Sequence, residues 1–371
     1  MGRLFEKTTL NGMVLRNRFV RSATWEGMAT EKGAVTDKLI ETISALAGGG
    51  VGLIITSHAY VLPEGQAGPW QMGVYEDGLM DGLREMTAAV HAQDCRIVMQ
   101  MSHSGHFASE KIIGRPPLVV SNFEGLSPSP REEMSKDYLE TLVNAFAHAA
   151  IRAKGAGFDG VQIHAAHGYL LSQFLSPLFN RRQDEYGGDI QNRARMVVEV
   201  YRAVRRSVGA DYPVLVKLNC RDFKEGGLER EDALFTARML AREGLDALEL
   251  SGALTSAAGG RLTPSWTGIK TPEQEAYFRD EARAFKKNLG IPLFLVGGIR
   301  SFDVAEQLVE DGVADYISMS RPLIREPDLI NRWKNGDRRK ALCKSDNLCF
   351  IPGREGRGIY CLTEEREREK T

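Results

Sequence analysis

Residues 135–169 read SKDYLETLVNAFAHAAIRAKGAGFDGVQIHAAHGY, and this single stretch contains a complete helix-to-strand step. Leu139, Leu142, Val143, Phe146, Ala149 and Ala153 recur at helical spacing, with Ser135 placed to cap the start and Gly155 to end the helix. The short run Gly160–Ile163 follows and gives way to His164, with His167 and Tyr169 close behind. A strand that ends in two imidazoles and a phenol is poor core material. Imidazole titrates near neutral pH and phenol is a neutral proton donor, so the trio suits gripping and protonating an oxygenated substrate. Taken singly, each histidine is better explained by burial against a backbone partner, and the tyrosine is explained by packing on an apolar face. Together they favour chemistry.

The same step recurs along the chain. Strands are predicted near Phe19–Arg21, Val51–Ile55, Arg96–Gln100, Gly160–His164, Val214–Leu218, Ala247–Leu250, Leu293–Val296 and Tyr316–Met319, with amphipathic stretches between them. Eight strand-then-helix units predict an α/β protein built as a (β/α)8 TIM barrel over residues 1–340. A doubly wound dinucleotide fold would want a GxGxxG turn after the first strand, where Ser22-Ala23-Thr24 offers none. Ahead of the barrel, Asn11-Gly12 marks a tight hairpin within Leu4–Arg16, placed to cap the barrel bottom. Two long insertions, Gly105–Arg131 and Ser176–Gln191, follow the third and fourth strands, where barrel enzymes build their sites. Residues 341–371 form a short C-terminal extension, and its Glu364–Lys370 charge run reads as a solvated end.

Composition excludes several function classes. With 43% hydrophobic and 26% charged residues and a formal net charge of -1, the chain lacks the basic excess a nucleic-acid binder needs. No apolar run approaches the roughly 18–20 residues of a membrane span. Met1–Glu6 has no apolar signal core, and Glu6 stands where a myristoylation signal wants Ser or Thr. Five cysteines in 371 residues are too few for a disulfide scaffold, so a reducing cytoplasm is expected.

Polar residues collect where the strands end. In order they are Ser22-Ala23-Thr24, Thr56-Ser57-His58, Gln100, His164, Lys217-Leu218-Asn219, Gly297-Gly298 and Ser320-Arg321. Glycine-freed amides at Gly297 and Gly298, with Ser320, Arg321 and a helix start one strand later, predict a phosphate cradle. By itself, Gly-Gly would equally suit a tight turn. Lys217 lies in the apolar run Pro213–Leu218 and must point into the barrel, where burial demands a partner, or out among the helices, where it would be worse placed. An inward cation suits the electron-rich edge of a reduced flavin, or else a Schiff-base nucleophile. Gln100 favours flavin, because an amide can both donate to and accept from the pyrimidine edge.

The text HAAHGYLLSQFLSPLFNRRQDEYGGDIQNRARM (His164–Met196) resembles the Old Yellow Enzyme family of FMN-dependent ene-reductases. So do the FVRSAT start at Phe19–Thr24, Gln100, and the Gly297-Gly298 and Ser320-Arg321 pairs. Its branch is that of the 2,4-dienoyl-CoA and enoate reductase barrels, and the likeness runs from about Leu4 to Cys361. The resemblance implies bound FMN and hydride from NADH or NADPH. It implies a small activated alkene as substrate, with His164 and His167 holding its carbonyl oxygen and Tyr169 protonating the α-carbon from the far side. Ser22, Ala23 and Thr24 would contact the flavin, with Thr24 tuning O4, and His58 would face the flavin edge or bond backbone. Lys217 replaces an arginine and Trp25 a redox-tuning cysteine of some relatives. Pairing into a homo-oligomer is a further expectation of the resemblance.

Larger members of this branch carry four cysteines for an iron–sulfur cluster. Here Cys343, Cys349 and Cys361 are joined by Asp346 in place of a fourth, so a metal-free remnant is expected. Two other classes stay open: a lyase or aldolase barrel using Lys217, and a non-catalytic flavin or metal electron carrier. Trp25, Tyr60, Trp70, Phe107 and Trp266 are candidate substrate-pocket walls or, equally, core.

Overall fold

The computed structural model describes residues 2–255 and 263–369. Two short strands, β1 (Thr8–Leu10) and β2 (Met13–Leu15), pair as the expected antiparallel hairpin, with Asn11 and Gly12 both at positive φ (41° and 78°). The barrel strands are β3 (Phe19–Arg21), β4 (Leu53–Tyr60) and β5 (Arg96–Ser102). After a small two-stranded pair, β6 (Leu118–Val119) and β7 (Glu132–Glu133), come β8 (Gly160–Ala165), β9 (Val214–Asn219), β10 (Ala247–Ser251), β11 (Leu293–Val296) and β12 (Tyr316–Met319). Those eight close in the order β10-β11-β12-β3-β4-β5-β8-β9, every pair parallel. The fold is a (β/α)8 barrel, as expected.

Alternation along the strands makes the interior a stack of layers. Val20, Leu53, Ile55, Val98, Leu215, Ala247, Phe294 and Tyr316 form an apolar floor, closed from below by Leu10, Met13 and Leu15 of the hairpin. Higher up six of the strands the inward positions turn polar: Ser22, Gln100, Gln162, Lys217, Glu249 and Ser318, all buried. The intervening residues, such as Ile97, Met99, Val161, Ile163, Val216, Leu218, Leu248 and Leu250, join the shell under the helices. The helix Lys136–Gly155 belongs to that shell, with Ser135 accepting from the Tyr138 amide and Leu139, Leu142, Phe146, Ala149 and Ala153 buried.

Two expectations need correction. Thr56, Ser57 and His58 do not follow the second strand but lie inside it, because β4 runs on to Tyr60 through a bulge between Ile55 and His58. The extra residue changes the parity of the strand, which turns His58 toward the barrel mouth. Gln100 likewise lies within β5 rather than at its end. The charged tail is exposed over Arg366–Glu369, as a solvated end should be, and is helical over Leu362–Arg368, with Arg325 pairing with Glu367 at 2.7 Å. Lys370 lies outside the described residues.

Candidate active site

A cavity of about 790 Å³ opens at the C-terminal end of the barrel, in the size range of cofactor and ligand sites. It gathers almost every residue singled out above: Ser22, Ala23, Thr24, His58, Gln100, His164, His167, Tyr169, Lys217, Gly298, Ser320 and Arg321 all line it. Gly297 stands just behind, at φ 143°, where an added Cβ would lie 3.2 Å from the Phe278 and Tyr277 rings. Neither long insertion contributes to the lining. The second of them is a strap instead: buried Arg182 donates to the carbonyls of Val120 (3.0 Å) and Met134 (2.9 Å) and pairs with Asp184. The walls come from the segment after β10 and from the C-terminal extension, whose Ser345, Asn347, Phe350 and Arg354 reach the cavity. That extension is part of the site, which its reading as a cysteine remnant missed.

The histidines and tyrosine form one cluster. The His164 ring lies 5.2 Å from that of His167 and 4.7 Å from that of Tyr169. Tyr169 Oη is 2.9 Å from His58 Nε2, a partner that neither expectation for His58 contained. His167 sits at φ 63°, costly for a non-glycine residue, and is held there by its amide donating to Asn219 Oδ1 at 3.0 Å. Its Nε2 is 2.7 Å from Ser251 Oγ, while His164 Nδ1 is buried without a partner. Burial lowers His58 to about 4. It pushes His164 and His167 well below the usual imidazole range, helped for both by the nearby Lys217 charge. Burial also raises the Tyr169 phenol. The cluster is therefore neutral near pH 7 and carries its protons as hydrogen-bond donors.

On the neighbouring strand and level with His164, Lys217 points inward as expected. Its Nζ is 2.9 Å from Ser22 Oγ and 3.3 Å from Glu249 Oε2. Sequence reading missed Glu249 and Gln162, although the same test, a polar residue within an apolar strand, picks out both. A Schiff-base lysine needs a free, desolvated amine, and this one is ion-paired. The Thr24 hydroxyl is surrounded by protein: it donates to the Ser22 carbonyl at 3.0 Å, lies 2.7 Å from Ser320 Oγ and accepts from Arg21. Arg321, largely buried, opens the helix Arg321–Arg325 and donates to Asn347 Oδ1 at 2.8 Å. Of the five aromatic wall candidates only Trp25 lines the cavity, whereas Trp266 stacks on Tyr277 at 4.3 Å and Tyr60 on Tyr75 at 5.1 Å.

Over residues 3–340 the chain matches the model of the NADH:flavin oxidoreductase / NADH oxidase family. The chain belongs to this family. An NADH oxidase of Thermoanaerobacter brockii is 35% identical over 363 residues, covering 95% of this chain and 54% of that protein. Among solved structures, a 2-naphthoyl-CoA reductase complexed with 2-naphthoyl-CoA superposes with a TM-score of 0.88 at 27% identity, over 97% of this chain and 56% of that one. An old yellow enzyme homologue from Zymomonas mobilis gives 0.77 at 27% identity, over 92% and 95% of the two chains. The chain spans about half the length of the curated relatives it matches first (54% and 49%). Membership makes FMN the cofactor, and this flavin oxidoreductase barrel fits it. Ser318 Oγ is a buried polar atom left without a protein partner, and a Cβ on Gly298 would lie 2.8 Å from Tyr277, so the turn there stays bare backbone.

The cysteines do not fit a four-thiolate cluster. Cys343, Cys349, Cys361 and Asp346 line a separate cavity of about 10 Å³, room for roughly one water. The Asp346 carboxylate accepts from Thr363 Oγ1 at 2.6 Å and from the Leu348 amide at 3.1 Å, and burial pushes the Cys349 thiol up to about 12. Among the described residues no group of three or more His, Cys, Asp or Glu is arranged to hold a metal ion.

Proposed function

We propose that this flavin oxidoreductase is an ene-reductase, taking hydride from NADH or NADPH and reducing the C=C bond of a small α,β-unsaturated carbonyl compound. Bound FMN supplies the hydride store that couples the two substrates. Gly298, Ser320 and Arg321, backed by Asn347 and Ser345, would hold its phosphate, while Ser22, Gln100 and Lys217 would meet its pyrimidine edge. The observation that carries the reading is the neutral cluster of His58, His164, His167 and Tyr169 lining the same cavity as Lys217, the register neighbour of His164.

Each neutral imidazole has one N–H. If Ser251 donates to His167 Nε2, the ring proton is left on Nδ1, free for a carbonyl oxygen, and the unpartnered nitrogen of His164 is a second contact. Together they polarise the C=C–C=O system and make its β-carbon electrophilic. Tyr169, kept protonated by burial, gives its proton to the α-carbon. His58, with its own proton on Nε2, then donates to the phenolate oxygen that remains. The shape of the reaction is thus a clamp, a donor and a support for the donor.

No helix of the described residues is long and apolar enough to cross a membrane. We place the enzyme in the cytoplasm and working as a homo-oligomer, with a barrel over 1–340 and the extension 341–371 completing its site. The test is Tyr169→Phe with the two half-reactions followed separately. Flavin reduction by NADH or NADPH should be unchanged, and reoxidation by an enone should slow about 10²–10⁴-fold. Equal slowing of both would reject the division of labour.

A further inference from the structure

Beneath the cavity lining lies a polar chain that begins at Glu249. This carboxylate is wholly buried and accepts from Ser22 Oγ at 2.7 Å on one oxygen. On the other it accepts from Gln162 Nε2 at 3.0 Å and lies 3.3 Å from Lys217 Nζ. Gln162 Oε1 in turn accepts from Gln100 Nε2 at 2.7 Å. Glu249 and Gln162 do not line the cavity, whereas Ser22, Gln100 and Lys217 do.

A carboxylate only accepts, and that fixes the sense of every bond after it. Gln162 must turn its NH2 toward Glu249, so only its carbonyl is left for Gln100. Gln100 must then use its NH2 on Gln162, which leaves its carbonyl oxygen as the free acceptor for the cavity. The Ser22 hydroxyl is likewise spent on Glu249 and faces Lys217 as an acceptor. At the same time Glu249 offsets part of the Lys217 charge, in an interior where a unit charge at about 4 Å acts far more strongly than in water.

We infer that Glu249 is a positioning residue for the flavin's pyrimidine edge, orienting the Gln100 amide and holding down the positive field of Lys217. It rests on FMN occupying this cavity. A weaker positive field makes FMN harder to reduce and, once reduced, a stronger hydride donor, which suits reduction of a C=C bond.

The experiment measures the FMN midpoint potential and the affinity of the oxidised holoenzyme for sulfite, which binds flavins more tightly when positive charge lies near the pyrimidine edge. Glu249→Gln should raise the potential and tighten sulfite binding about tenfold, the equivalent of ~1.4 kcal/mol. Lys217→Met, which removes the positive charge itself, should move both readouts the opposite way. An unchanged potential and sulfite affinity in a folded Glu249→Gln holoenzyme would overturn the inference, as would a Lys217→Met shift in the same direction as that of Glu249→Gln. Should Glu249→Gln not accumulate, Glu249→Asp decides: it keeps the charge but draws it back from its partners. That variant should tighten sulfite about two- to fivefold, and parental affinity would count against the inference. Failure of the parent chain to bind FMN at all would instead overturn the flavin reading, so the two failures are told apart.

Discussion

His164 contributes two things to the site, a neutral ring and a buried nitrogen that no protein group satisfies. Leaving such an atom unpaired costs about 1–3 kcal/mol, which a bound carbonyl oxygen or a water would relieve. His164→Ala should therefore lower kcat/KM for enones about 10²–10³-fold, the range seen on losing one donor to a developing oxyanion. NADH-dependent flavin reduction, measured in the absence of enone, should change far less. At this scale the sequence was readable wherever a residue type was out of place. Lys217 betrayed itself within Val-Leu-Val-Lys-Leu, and Glu249 within Ala-Leu-Glu-Leu would have yielded to the same reasoning. What could not be read was pairing: nothing local says that Tyr169 meets His58, 111 residues away, or that His167 meets Ser251.

Turns and strand ends aim these side chains, and two glycines separate shape from function. Gly12 and Gly298 both sit at positive φ (78° and 72°), but a Cβ on Gly12 would meet nothing within 4 Å while one on Gly298 would press on Tyr277. Gly12→Ala should cost about 1 kcal/mol of stability from backbone strain alone and leave FMN affinity intact. Gly298→Ala should cost about 1–3 kcal/mol and also weaken FMN retention, measurable as apoenzyme in the purified protein. Strands, hairpin and barrel closure were legible because alternation and turn chemistry are local. The β4 bulge was not, since one extra residue in Thr56-Ser57-His58 changes no pattern of composition yet decides which way His58 faces. The long insertions misled for a related reason. Loop length marks where a site tends to be built, whereas the Arg182 contacts that make one of these loops a strap are long-range.

Across the whole molecule, burial of neutral histidines couples stability to pH. His58 is lowered to about 4 and His103 to about 3, with His164 and His167 also well below the usual value, each mainly through desolvation. The unfolded chain takes up these protons below about pH 6.5 and the folded one does not until far lower. Their stabilising effect is therefore complete above that pH and is lost as pH falls toward 4. Glu26, raised to about 7 by burial, and Asp222, also raised by burial, act in the opposite sense, two acids against these four histidines. Tm should fall steadily from pH 7 to pH 4, and less steeply in His58→Gln. A flat profile would mean these rings are solvated. The barrel's chemistry is tested most directly by anaerobic spectroscopy of the purified chain. NADH or NADPH should bleach its flavin absorbance, and cyclohexenone should then restore it without oxygen, with saturated cyclohexanone as product. A protein that carries no flavin, or one that bleaches and recovers only on admitting air, would contradict the assignment.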